Sequence, residues 1–459
     1  MRPLLNAVLG LSGVATLGLS GCERSAARAD LVVLNGAEPE TLDPALITGQ
    51  PEGRVANGLF EGLVAFDERG RPVPGVAVRW EVSADGKTYT FHLRPDARWS
   101  NGNPVTAEDF ALSWKRVLEP ATAAEYAAQL YFIKNAEAYN AGKLRDFAEV
   151  GVRVLDERTL RVELENPTPF FPDLCAFPTL MPVHLETVHR HGGEWTRPGR
   201  MVSNGPYRLV QWRINDRIRL EANPYYWDRG RVRMRVVDAL PTSQAGTAFN
   251  LFYAGQADLI LDKGLVPSIL LDRVRREKYF HSSPFLATYF YRFNVTHPPF
   301  HDARVRQAFV MAIDRRRIVE KITRAGEPAA GSFTPPGTAH YTPPPGLPYD
   351  PSRARALLAA AGYPGGKGFP QIRLLYNTSD TNEQIAVEIQ EMWRRELGVR
   401  VEFVKQEWKV YLGTLGRLDY DVGRSSWVAD YNDPHTFLGI FMSGDGNNRT
   451  GWKNPEYDH

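Results

Sequence analysis

Residues 372–404 narrow the possible folds more than any other part of this chain. IRLLY at 372–376 is a short apolar run with the character of a buried strand. VRVEFV at 399–404 alternates, with Val399, Val401 and Phe403 pointing one way. Between them, residues 381–397 carry Ile385, Ile389, Met392, Trp393 and Leu397 at helical spacing, and Gly398 supplies a helix stop. Two strands joined by a crossover helix pair in parallel, with a right-handed connection. This part of the chain is expected to be α/β.

The first half has a different grammar. Residues 31–35 (LVVLN) read as a buried strand, and residues 54–66 as a helix leading into a strand. An Asp-Gly turn at 84–87 precedes TYTFHL, in which Tyr89, Phe91 and Leu93 alternate. Further hairpins are expected at 152–164 and at 207–221, the latter turned at Asn215-Asp216. Thr106 and Asp109 have the spacing of a capping box before a helix through Phe110, Trp114 and Val117. Residues 242–261 read as a helix followed by a strand. From residue 286 onward amphipathic helices dominate: residues 303–324 predict one helix with Val305, Phe309, Ile313, Ile318 and Ile322 inward. Residues 332–350 are a Pro-rich loop, and residues 351–361 open a helix with Pro that Gly362 closes. With 459 residues, at roughly 100–200 per domain, two differently built lobes fit the length. Lys+Arg 55 against Asp+Glu 53 leaves a charge of +2, a poor footprint for nucleic acid.

The N-terminus carries an export signal. Arg2 precedes an apolar run from Pro3 to Leu19, and Leu19-Ser20-Gly21-Cys22 has the pattern of a bacterial lipobox, with Cys22 as the lipidated residue. The alternative is an ordinary signal peptide in which Cys22 is incidental. The run is too short for a transmembrane helix. Cys175 then has no partner, and its apolar neighbours predict a buried inert thiol.

Enzyme motifs are scarce. Gly365-Gly366-Lys367 lacks the flanking residues of a phosphate loop, and no GxSxG elbow occurs. His184 and His189 are five apart, about 140° around a helix, so they do not make a zinc pair. With His191 they read as solvated surface histidines, and no metal or cofactor is expected. A pair of acids that meets only in space stays open as a hydrolase reading. Residues 419–438 stand out instead. Tyr420-Asp421-Val422 is strand-like, small residues follow, and Asp430 lies between Trp427 and Tyr431 before an Asn-Asp-Pro turn. A carboxylate between aromatic walls suits an ammonium group, although a structural turn residue has the same pattern.

Several long segments carry a resemblance to a known family. They are GLFEGL at 58–63, residues 74–116, SNGPYRL at 203–209, NPYYWD at 223–228 and DARVRQAFVMAIDR at 302–315. LLYNTSD at 374–380, QEWKVYL, and SSWVADYNDPHTFL complete the set. The chain resembles the extracytoplasmic solute-binding proteins of ABC importers, peptide/nickel class, and most closely the oligopeptide-binding branch. The resemblance implies an α/β, two-lobed periplasmic-binding-protein-like fold of class II, with an extra domain and a hinge. It implies a signal peptide at 1–21, a tether at 22–30, lobe I at 31–61 and 186–285, the extra domain at 62–185, and lobe II at 286–459. The family's chain then returns to the first lobe, and this sequence stops before that return, so lobe II is expected to lack a C-terminal segment.

The same resemblance implies a non-enzymatic monomer that binds short peptides, docks on ABC transporter permease subunits and is held at the membrane by lipid on Cys22. Asp430 matches the carboxylate that meets the peptide ammonium, and Arg424 a basic residue for a peptide carboxylate. Trp427 and Val428 match the segment that pairs with the ligand as a strand. Gln50, within residues 49–52, matches the opposite edge. Tyr126 and Phe290 match side-pocket aromatics. Asn382 stands where the branch often has a His for the C-terminus of a longer peptide, and Thr323 stands near where it has a Lys. Arg324 and Arg292 are the candidate substitutes. Other ligands known in the family, namely murein peptide, nickel chelate, haem and signalling peptide, remain alternatives.

Overall fold

A computed structural model describes residues 27–283 and 285–458. Cys22 and the export signal lie outside the described residues. The first sheet has five strands in the order Leu259–Ile260, Leu31–Gly36, Val236–Pro241, Arg217–Ala222, Tyr207–Arg213. Leu31–Gly36 pairs in parallel with both neighbours, and the rest of the sheet is antiparallel. Its apolar run follows from burial on two sides. Val33 joins a core with Leu59, Leu209 and Ile218, whereas Val32 and Leu34 join another with Ala248 and Leu265.

The second sheet has the order Ala287–Phe293, Val422–Val428, Ile372–Asn377, Val401–Gln406. Ile372–Asn377 and Val401–Gln406 pair in parallel across the helix Asp380–Leu397, as the strand–helix–strand pattern requires. That helix ends on Gly398, whose φ of 70° is the left-handed turn a Gly makes without strain. A third sheet is antiparallel throughout and orders Ala77–Val82, Thr88–Leu93, Thr159–Glu163, Val152–Asp156. The helix Ala107–Leu118 packs on it through Phe110, Trp114 and Val117, and starts in a complete Thr106–Asp109 capping box.

Two expectations need correction. Residues 303–324 are not one helix. Ala303–Met311 ends, Asp314 accepts a hydrogen bond from the Arg317 N–H at 3.0 Å, and Arg315–Arg317 leads into a wide turn over Ile318–Thr323. The apolar period survives the break because Ile313, Ile318 and Ile322 pack on the same core as Val305 and Phe309. His184 is not a solvated histidine. It is buried, and its Nδ1 accepts from the Thr187 N–H at 3.3 Å, capping the helix Leu185–His191. Cys175 is buried, and burial pushes its thiol well above the ordinary range. Among the described residues no helix is long and apolar enough to cross a membrane, and no group of three or more His, Cys, Asp or Glu side chains is placed to hold a metal ion.

Candidate ligand-binding cleft

The strand Val422–Val428 positions the site. It pairs along its whole length with Ala287–Phe293. On its other side it meets Ile372–Asn377 only through Val422 and Gly423. The flank from Arg424 to Val428 therefore has no strand partner, and it forms one wall of a cleft of about 260 Å³. Residues 47–50 and Arg54 contribute to the lining from the first sheet's side, and Tyr126 and Phe177 from the third sheet's side. A sheet flank with unspent N–H and C=O groups recruits an extended chain. Tyr411 Oη donates to the Arg424 carbonyl at 2.5 Å, which closes the inner end of that flank.

Asp430 stands at the outer end, two residues past the strand. Its N–H donates to Thr436 Oγ1 at 3.0 Å, and its Oδ2 accepts from Gln129 Nε2 at 3.0 Å. It is half-buried, and it lines both the cleft and a second cavity of about 40 Å³ behind it. Burial pushes its carboxyl well above the ordinary range, against the Gln129 bond, and the nearby Asp445 carboxylate adds to the rise. A cation arriving there is stabilised by the same lack of solvent that penalises the free carboxylate. Trp427 is buried beside it and stacks on Tyr126 with ring centroids 5.9 Å apart.

Arg424 stands at the inner end. Its Nη1 donates to Asn377 Oδ1 at 3.2 Å, its guanidinium lies 4.6 Å from the Tyr289 ring centroid, and its Nε is buried without a partner. Asn382 does not line the cleft. It donates from Nδ2 to Asn377 Oδ1 at 3.0 Å and so fixes the amide that Arg424 uses. Phe290 also lies off the lining and packs on Phe333 at 4.8 Å. Asp430, Arg424, Trp427, Val428, Gln50 and Tyr126 are brought together on the cleft wall. Thr323 and Arg324 are elsewhere, and Arg324 pairs with Asp272. Arg292 does line the cleft, with Asn447, Arg449 and Trp408. Trp408 belongs to the QEWKVYL segment, whereas Asn447 and Arg449 had no signal in the sequence, because each acts through a contact with a distant segment.

Several contacts bridge the bodies around the cleft. Trp408 Nε1 donates to Glu52 Oε1 at 3.0 Å, joining the helix Trp408–Gly416 to the helix Gln50–Leu59. Ala245 N–H donates to Asp380 Oδ2 at 3.1 Å, and Arg449 pairs with Glu125. Burial raises the Glu52 carboxyl above its ordinary value.

Residues 71–449 match the bacterial extracellular solute-binding proteins, family 5 middle. The periplasmic oligopeptide-binding protein OppA of Salmonella typhimurium is 38% identical over 465 residues, spanning 99% of this chain and 85% of that protein. The murein tripeptide-binding protein MppA of Escherichia coli superposes with a TM-score of 0.90 at 39% identity, over 94% of this chain and 86% of that one. Haemophilus influenzae OppA in complex with the peptide RPPGFSPFR gives 0.89 at 35% identity, over 94% and 86%. An unliganded open form of MppA gives only 0.60 at 38% identity, over 94% and 85%. The arrangement of this chain thus matches the peptide complex more nearly than that open form. The chain belongs to the family 5 bacterial extracellular solute-binding proteins.

Proposed function

We propose that this chain captures short peptides outside the cytoplasmic membrane and passes them to an ABC peptide importer. The observation that carries this is the unpaired strand flank from Arg424 to Val428, with a carboxylate at one end and an arginine at the other, on the wall of one cleft. Backbone pairing gives affinity that tolerates many sequences. Asp430 takes the peptide ammonium and Arg424 a peptide carboxylate, so the two ends fix direction. Trp427 and Val428 present the pairing backbone, Gln50 closes the opposite edge, and Tyr126 walls a side pocket. Phe290 and Asn382 act from behind, on the packing and on the Asn377 amide.

The protein is a binder and returns its peptide unchanged. It works as a monomer, tethered by lipid on Cys22. Residues 31–61 and 186–285 form lobe I, 62–185 the extra domain and 286–459 lobe II; the distribution of strands among the four sheets supports that division. Hinge closure buries the peptide, and the importer reads the closed form. The test is Asp430→Ala with free and N-acetylated tripeptides. Removing one partner of a desolvated charge pair weakens the free-amine peptide by about thirtyfold or more, whereas the acetylated peptide loses little. Equal losses for the two rule out the role of Asp430.

A further inference from the structure

Arg292 carries a charge that peptide capture through Asp430 and Arg424 leaves unused. It is 6% exposed and lines the cleft. Its Nη2 donates to Ser425 Oγ at 2.9 Å and its Nη1 to the Asn447 carbonyl at 3.3 Å, both neutral acceptors. Its Nε is buried with no partner. Glu125, a carboxylate whose field reaches it, is bonded to Arg449, and Arg449 brings a second positive charge towards it. Arg54, also on the lining, is paired with Asp262 at 3.3 Å.

The ladder places the two unpaired arginines on opposite faces of the sheet. Arg292 opposes Gly423 and shares its face with Ser425 and Trp427, whereas Arg424 opposes Tyr291 on the other face. A peptide laid along the free flank alternates its side chains between those faces. Its terminal carboxylate, held by Arg424, does not serve Arg292 as well. The acids Asp430 and Asp445 stand together at the ammonium end, lining the small cavity there. A zwitterionic peptide with neutral side chains adds one charge of each sign, and Arg292 stays buried and uncompensated.

We propose that Arg292 makes this cleft selective for peptides with an acidic side chain, Asp or Glu, on the face shared with Trp427. The proposal rests on the peptide-capture reading. Four alanine-based tripeptides test it, with Glu or Gln at the first or the second position, titrated calorimetrically into the purified protein. A charge-assisted hydrogen bond at this depth makes Glu about tenfold tighter than Gln. Alternation confines that preference to one of the two positions. Arg292→Gln brings the Glu-to-Gln ratio to about one, and Arg292→Lys, which keeps the charge, retains a preference. Equal binding of Glu and Gln at both positions overturns the proposal and leaves peptide capture standing, as does a preference that survives Arg292→Gln. Failure of all four peptides to bind overturns both. Should Arg292→Gln fail to fold, the ratio in the unaltered protein decides.

Discussion

Trp408→Phe isolates the contribution of one contact to closure. The substitution keeps an aromatic ring on Tyr411, which Trp408 stacks at 5.5 Å, and removes the indole N–H that reaches Glu52 at 3.0 Å together with one ring of the indole. Glu52 is 1% exposed, so no solvent replaces the lost donor in the closed form. Its Oε1 keeps the Glu40 N–H at 2.9 Å. In an open form both groups are hydrated, and the substitution costs little there. A hydrogen bond from the indole to this buried carboxyl is worth about 1–2 kcal/mol. The closing equilibrium then falls about five- to thirtyfold. Peptide Kd rises by the same factor where closure is the last step of capture. Calorimetry gives the Kd, and small-angle scattering of the ligand-free protein gives the shift towards open forms. An unchanged Kd and scattering curve, with the fold intact by circular dichroism, refutes the reasoning.

Other outcomes follow from the same geometry. Asp430→Asn raises the Tm of the ligand-free protein by roughly 2 °C at neutral pH. A carboxyl raised in the folded state favours unfolding as pH climbs above its unfolded value of roughly 4, so the difference vanishes near that pH. An equal or lower Tm for the variant at neutral pH contradicts this. Free-amine peptides bind more weakly as pH falls below neutral, because the ammonium requires Asp430 to release its proton. Asp445, pushed up to about 6 chiefly by burial, steepens the change. Calorimetry in buffers of different ionisation enthalpy detects the released proton, and N-acetylated peptides release none. Arg116→Met leaves the buried Asp43 with Trp195 Nε1 at 3.2 Å and the Ala45 N–H at 3.0 Å, and without the guanidinium that holds it at 2.5 and 2.9 Å. That costs about 3 kcal/mol in denaturant unfolding, while the peptide Kd of the folded variant stays as it was.

The strands and helices of this chain are legible where periodicity and local chemistry agree. The Thr106–Asp109 box and the run from Ile372 to Phe403 are of that kind, since each needs only neighbours in sequence. The key strand was less legible. Only Tyr420-Asp421-Val422 has strand character in the sequence, whereas the strand runs from Val422 through Gly423, Ser425 and Ser426 to Val428. Those residues have weak strand preference, and tertiary fit selects the glycine: a Cβ on Gly423 comes within 2.9 Å of Leu415 and 3.2 Å of the Tyr420 ring. The helix expected through residue 324 failed for the opposite reason, because its apolar period crosses a break that Asp314 caps. Asp430 was visible as a carboxylate between aromatics after a strand. Gln129 and Arg449 were not, because their partners lie hundreds of positions away.

Mass spectrometry of the ligands released by denaturing the purified protein tests the central claim most directly. Peptide capture in this cleft yields a heterogeneous set of short peptides with free N-termini, enriched in Asp and Glu. A single non-peptide species held by the protein contradicts it.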